Sequence, residues 1–357
     1  MLILAVKDKK KFWKLRQKSR KKNLEKQQTF FIFANENKML FILNLDTMKK
    51  RSISSSLLQE LKTGKYKQIT ETVRIDPSLD MEMRGDDGAM VYYRGGLILT
   101  ISEKEGLTGL NKNYYPEDYK SELVPNTNML EYISIAKHFV DIHEAKINKL
   151  GEKEIQQRIV YENNRSVNAA NTDYFIADVE WADNETLGGR ADIIAFRWNH
   201  LEHKKRLLQF TMIEVKQGDG AITTSETINT KGNPVILPGL KKHYDDFLNF
   251  QRHFHEVADD MLIVIKQKKE LGLVAGLDYL FENNIGDQIK PQIEEEPDLI
   301  FLLANYHHYS SALSKECEKL PNNCKFYLSS FMGYGLYKDF VFTKTQLQTI
   351  FPKIFTS

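Results

Sequence analysis

Residues 190–218, RADIIAFRWNHLEHKKRLLQFTMIEVKQG, read as two strands joined by a basic loop. In the first, RADIIAFRW, apolar residues fill both faces and Asp192 interrupts them. In the second, FTMIEVK, Glu214 and Lys216 interrupt a similar run. Side chains two apart on a strand share a face, so Glu214 and Lys216 point one way and Val215 enters the opposite layer. A carboxylate embedded in such a strand is costly to bury unless something binds it. If the strands pair, two carboxylates and an ammonium converge on one point, a pattern suited to a divalent cation with an orienting group beside it. A buried Glu214–Lys216 ion pair is the plainer alternative.

The flanking segments supply the rest of a domain. Residues 128–164 read as a helix broken near Gly151, with Leu130, Ile133, Ala136, Phe139 and Val140, then Ile155, Ile159 and Val160, at helical spacing. In EKEIQQRIVYENN, Glu154, Gln157, Arg158 and Tyr161 form a polar stripe. Tyr174 to Trp181 alternates, with Asp178 and Glu180 opposite Phe175, Ala177, Val179 and Trp181. That pattern predicts one wet face, which either overlooks a cleft or is simply solvated at a sheet edge. A Thr-, Ser-, Asn- and Gly-rich connection up to Pro238 is long enough to be a lid or binding loop. A long helix that bends follows from Gly239. Leu299 to Tyr306, apolar on both faces, reads as a buried parallel strand, a helix follows over 309–320, and 325–332 forms the last strand.

This constellation resembles the PD-(D/E)XK nuclease superfamily, whose motif pairs an aspartate on one strand with (D/E)-x-K on the next. Here those positions are Asp192 and Glu214-Val215-Lys216. From residue 152 the order is helix, three strands, helix, strand, helix, strand, the αβββαβ order of the restriction-endonuclease-like fold. The resemblance implies an α/β (α+β) fold with a mixed sheet flanked by helices. It implies hydrolysis of phosphodiester bonds, in DNA ahead of RNA and by an endonuclease ahead of an exonuclease. Asp192, Glu214 and the Val215 carbonyl would hold Mg²⁺, with Mn²⁺ able to substitute, and Lys216 would position water or stabilise the phosphoryl oxygens. A glutamate from the preceding helix would join them; Glu154 is the choice and Glu152 the alternative. Lys204 and Lys205 in the 199–206 loop, and Lys241 and Lys242 beside His243, are expected to meet phosphates. Some branches carry Gln-x-x-x-Tyr on that helix; here Leu240 precedes Tyr244, so no branch is identified. A homodimer fits the analogy. A catalytically silent nucleic-acid-binding module on the same fold and a non-nuclease α/β scaffold are the rival readings.

With 357 residues, 41% hydrophobic and 27% charged, the chain has the composition of a globular protein. The sequence holds no apolar run long enough to cross a bilayer, and a cytoplasmic, membrane-free location is expected. Cys317 and Cys324 are the only cysteines, which suits a reducing compartment. Net charge is +2, yet residues 1–47 hold twelve Lys or Arg against four Asp or Glu, leaving the remainder mildly acidic. Residues 1–47 are therefore expected to be a basic, poorly ordered arm, with Phe12 and Trp13 placed for base stacking if it binds nucleic acid. Residues 48–125 are expected to be a small α+β domain. It begins with two short helices, the first capped by a serine before Leu57. A three-stranded meander follows, MEMR, AMVYY and LILTI, with glycine turns between them. The nuclease-like domain would span 126–357.

Overall fold

The computed structural model describes residues 29–33, 40–44, 49–119, 121–125, 128–145, 151–183, 189–198, 206–228, 232–281, 291–305, 311–329, 333–350 and 352. The basic cluster with Phe12 and Trp13 lies outside them. The chain divides into two compact units. The first comprises residues 1–49 and 183–188, and its described residues include an antiparallel pair of strands, β1 (Thr29–Phe33) and β2 (Leu40–Asn44), inside the segment expected to be a poorly ordered arm.

The second unit, residues 50–182 and 189–357, runs across the boundary expected near residue 125. It is mixed α/β. Helix α1 (Ser55–Lys62) starts where Ser54 Oγ accepts the Leu57 amide at 3.0 Å, and α2 (Lys67–Ile75) follows. The meander has four strands rather than three: β3 (Leu79–Met83), β4 (Ala89–Tyr93), β5 (Gly96–Ser102) and β6 (Gly106–Thr108). The last is three residues long, too short to show a period. The β4–β5 turn places Arg94 at φ 49 and Gly95 at φ 79, the paired positive angles of a type I′ hairpin. A Cβ on Gly95 would sit 2.4 Å from Lys153 Cβ, so this turn closes directly onto the next helical layer.

Helices α3 (Met129–Ala145) and α4 (Glu152–Asn164) come next. Then β7 (Tyr174–Asp183), β8 (Gly189–Trp198) and β9 (Leu207–Gln217) lie side by side. A hairpin, β10 (Ser225–Ile228) with β11 (Pro234–Leu237), occupies the connection read as a lid. The bent helix resolves into α5 (Leu240–Phe250) and α6 (Phe254–Glu270), followed by the short α7 (Asp278–Phe281) and β12 (Gln292–Ile293). The chain then enters β13 (Asp298–Ala304), α8 (Ser311–Glu318), β14 (Lys325–Leu328), β15 (Phe342–Thr343) and α9 (Lys344–Ile350).

The large sheet runs β15-β14-β13-β9-β8-β7. β8 is antiparallel to β9, whereas β9, β13 and β14 are parallel. The double-sided apolar runs are explained by what covers them. Ile193, Ala195, Ile213, Val215, Ile300 and Leu302 pack with Ile155 and Ile159 of α4. Phe301, Leu303, Phe326 and Leu328 on the other face pack with Leu240 of α5 and with Leu313 and Cys317 of α8. Both cysteines are unpaired and buried. One expected alternation breaks: Val179 joins the Ile155 core with Tyr174 and Ile176, not the Phe175 side. The chain accommodates this by a left-handed residue at Glu180, φ 53.

Candidate metal centre

β8 and β9 bring Asp192 and Glu214 together. Ile193 pairs with Ile213, so one step further along the antiparallel ladder Asp192 faces Glu214. The Val215 amide donates to Asp192 Oδ2 at 2.8 Å. Val215 thus acts through its N–H, while its side chain enters the α4 core as the alternation requires. Lys216 Nζ donates to Glu214 Oε1 at 2.6 Å. All three side chains are buried, 3% exposed at Asp192, 6% at Glu214 and 7% at Lys216. Glu214 and Lys216 lie near the carboxyl end of β9, beside the parallel strand β13, where open α/β sheets place their ligands.

Two more carboxylates enter from other elements. Glu152 in the first turn of α4 and Glu180 of β7 join Asp192, with one oxygen from each lying within 4.8 Å of the others. Gln156 Nε2 donates to Glu180 Oε1 at 2.9 Å, and exposed Arg190 lies 3.7 Å from Glu180 Oε2. The left-handed turn at Glu180 is held from behind. Arg84 donates to Asp178 and to the Val179 carbonyl, and Arg51 donates to the Glu180 carbonyl at 3.1 Å.

His243 of α5 closes the other side. Its Nε2 lies 3.1 Å from Lys216 Nζ and its Nδ1 3.0 Å from Glu214 Oε1. Burial, then the Lys216 charge, lowers the imidazole to about 3, so it is neutral. Lysine can only donate, so Nε2 accepts from Lys216, which leaves Nδ1–H to donate to the Pro238 backbone carbonyl while it stands 3.0 Å from Glu214 Oε1. His243 lies three residues after the buried Leu240 and four before the buried Phe247, on the helix face turned to the sheet.

The electrostatics are lopsided. Burial, then the Asp192 charge, raises Glu214 to about 8 despite Lys216 at 2.6 Å. The same causes, in the same order, raise Glu152 to about 7. Burial raises Asp192 against the pull of Lys216 and the Val215 amide. Four carboxylates therefore share Lys216 and the exposed Arg190. Hard oxygen donors at this density match Mg²⁺, Mn²⁺ or Ca²⁺ better than a softer ion.

The other expected residues sit elsewhere. Glu154 is held by Arg94 Nε at 3.1 Å and Arg158 at 2.6 Å, beside the meander turn, and Glu152 takes the place expected of it. Lys241 and Lys242 are each paired one helical turn along, with Asp245 and Asp246. Lys204 and Lys205 lie outside the described residues. Glu180 and His243 are the additions. The chain matches no family model, no curated protein and no solved structure.

Proposed function

We propose that the chain is a divalent-metal-dependent nuclease of restriction-endonuclease-like type, hydrolysing phosphodiester bonds in DNA ahead of RNA. The observation that carries this reading is the juxtaposition of Asp192, Glu214 and Lys216 on β8 and β9, with Glu152 and Glu180 adding carboxylate that Lys216 and the exposed Arg190 offset only in part. The order α4, β7, β8, β9, α5, β13, with β10 and β11 inserted before α5 and α6, α7 and β12 before β13, supports the αβββαβ assignment.

Glu152, Glu180 and Asp192, with Glu214 beside them, are the groups that would hold the ion. When bound, the ion lowers the pKa of a coordinated water and offsets charge on the phosphoryl oxygens. Lys216 is the one buried ammonium at this point, and His243 holds it against Glu214, where a donor to a phosphoryl oxygen is useful. Glu152, raised to about 7 by burial and the Asp192 charge, would release its proton when an ion binds. No helix among the described residues is long and apolar enough to cross a membrane.

The test is cleavage of plasmid, linear duplex and single-stranded DNA, and of RNA, with Mg²⁺, Mn²⁺ or EDTA, wild type beside Glu214→Ala/Lys216→Ala. Metal-dependent cutting lost in the double variant is the expected result. Absence of cutting by folded wild type on every substrate would overturn the proposal.

A further inference from the structure

A cavity of about 230 Å³ lies between the meander, α4 and β7. Its walls include Asp80 and Tyr92 of the meander, Lys153 and Gln156 of α4, and Val179 and Glu180 of β7. Glu180 belongs to the carboxylate group as well, and Gln156 hydrogen-bonds to it at 2.9 Å. Cavity and carboxylate group thus share a wall. The volume is below the roughly 300–1,000 Å³ of sites that take whole small molecules, so it suits one ring system.

Three of the lining groups match parts of a nucleotide. Asp80 is 5% exposed, and its Oδ2 has no hydrogen-bond partner. A buried carboxylate oxygen left in that state favours a ligand that donates N–H. Asp80 pairs with Tyr92 across the β3–β4 ladder, which sets the Tyr92 ring beside it as a flat surface. Arg84, which also lines the cavity and is anchored on Asp178 and the Met83 and Val179 carbonyls, stands over one face of that ring with its guanidinium carbon 5.8 Å from the ring centre. Lys153 is exposed on the same wall, on the residue next to Glu152, and offers a cation to a phosphate.

We propose that this cavity takes one unpaired nucleobase of the substrate strand, its N–H donors on Asp80 and its face on Tyr92, next to the phosphate at the carboxylate group. The inference rests on the nuclease reading and gives its substrate class: single-stranded nucleic acid, or a strand with a base turned out of its stack. A paired base cannot present its face and its edge to such a cavity together.

The test is binding in Ca²⁺ of short single strands carrying a fluorescent adenine analogue at successive positions, with cutting in Mg²⁺ measured in parallel. One position should show quenching. Loss of base stacking on its ring means Tyr92→Leu should abolish the quenching and weaken binding by roughly tenfold. Asp80→Asn should change which base is preferred there. Lys153→Ala, at an exposed position that cannot disturb the core, should weaken binding a few-fold and lower its salt dependence by about one charge. Unchanged quenching, base preference and affinity in folded Asp80→Asn and Lys153→Ala would overturn the proposal, as would binding to no single strand. Cutting with cavity-independent binding would remove this inference alone. Cavity-dependent binding without cutting would remove the nuclease reading and leave this one standing.

Discussion

Two groups of charge draw on β7, one through Asp178 and the other through Glu180, and they are built differently. In one, Arg51, Arg84 and Lys268 meet Asp178 and Glu82, cation matched to carboxylate. Lys268 is 1% exposed and reaches Glu82 at 2.7 Å, and Asp178 is fully buried between the two guanidiniums. In the other, Glu152, Glu180, Asp192 and Glu214 share Lys216 and an exposed Arg190. The first group is internally compensated, and its evident effect is to anchor the meander and to hold the backbone at Val179 and Glu180. The second is short of positive charge. Matched charge welds elements together, whereas unmatched carboxylate is the arrangement a cation site needs before the cation arrives.

The largest effect that could break this contrast lies in the unmatched group. Under the proposed function, Asp192→Asn should cut cleavage by more than the roughly 10–100-fold typical of outer-shell changes. In EDTA near pH 8, Glu214→Gln should melt no lower than wild type, because it removes charge that burial disfavours. Loss of folding together with activity in these variants would place both groups in the same structural class. In the matched group Lys268→Met should cost about 3–5 kcal/mol by leaving Glu82 without its nearest cation. Denaturant melts would measure this.

Acidity separates the two groups next. The folded values of Glu152, about 7, and Glu214, about 8, lie above the ordinary 4.5, so the folded state retains protons that the unfolded state has released. Their contribution is therefore full at acid pH and is lost as pH rises toward about 8. Metal-free protein should lose stability over that window, and Mn²⁺ should restore more of it at about pH 8 than at about pH 5. A metal-independent, flat melting profile would contradict this. The smallest effect is expected at Glu154→Gln. Its partners Arg94 and Arg158 are partly exposed, so it should change activity less than about threefold and stability by about 1 kcal/mol or less.

What the sequence discloses follows the range of each interaction. Period-two alternation puts Glu214 and Lys216 on one face and Val215 on the other, and two interrupted apolar strands imply the Asp192–Glu214 pairing. Those are local regularities, and the structure has them. Glu180 could not be placed by alternation, because Arg51 and Arg84, distant in sequence, hold a left-handed residue that turns the strand. Choosing between Glu152 and Glu154 needed Arg94, brought over by a hairpin turn sixty residues earlier. His243 was readable as a polar residue on the buried stripe of Leu240 and Phe247. So were the pairs Lys241–Asp245 and Lys242–Asp246, whose four-residue spacing in KKHYDD already predicts ion pairing within the helix.

The most direct test of the unmatched group is calorimetric titration with Mn²⁺ at about pH 7, repeated in buffers of different ionisation enthalpy. Carboxylates held partly protonated must release protons when an ion binds. Saturable binding with proton release is expected in wild type, and loss of both in Asp192→Asn. Absence of saturable binding, or binding with neither proton release nor sensitivity to Asp192, would contradict it.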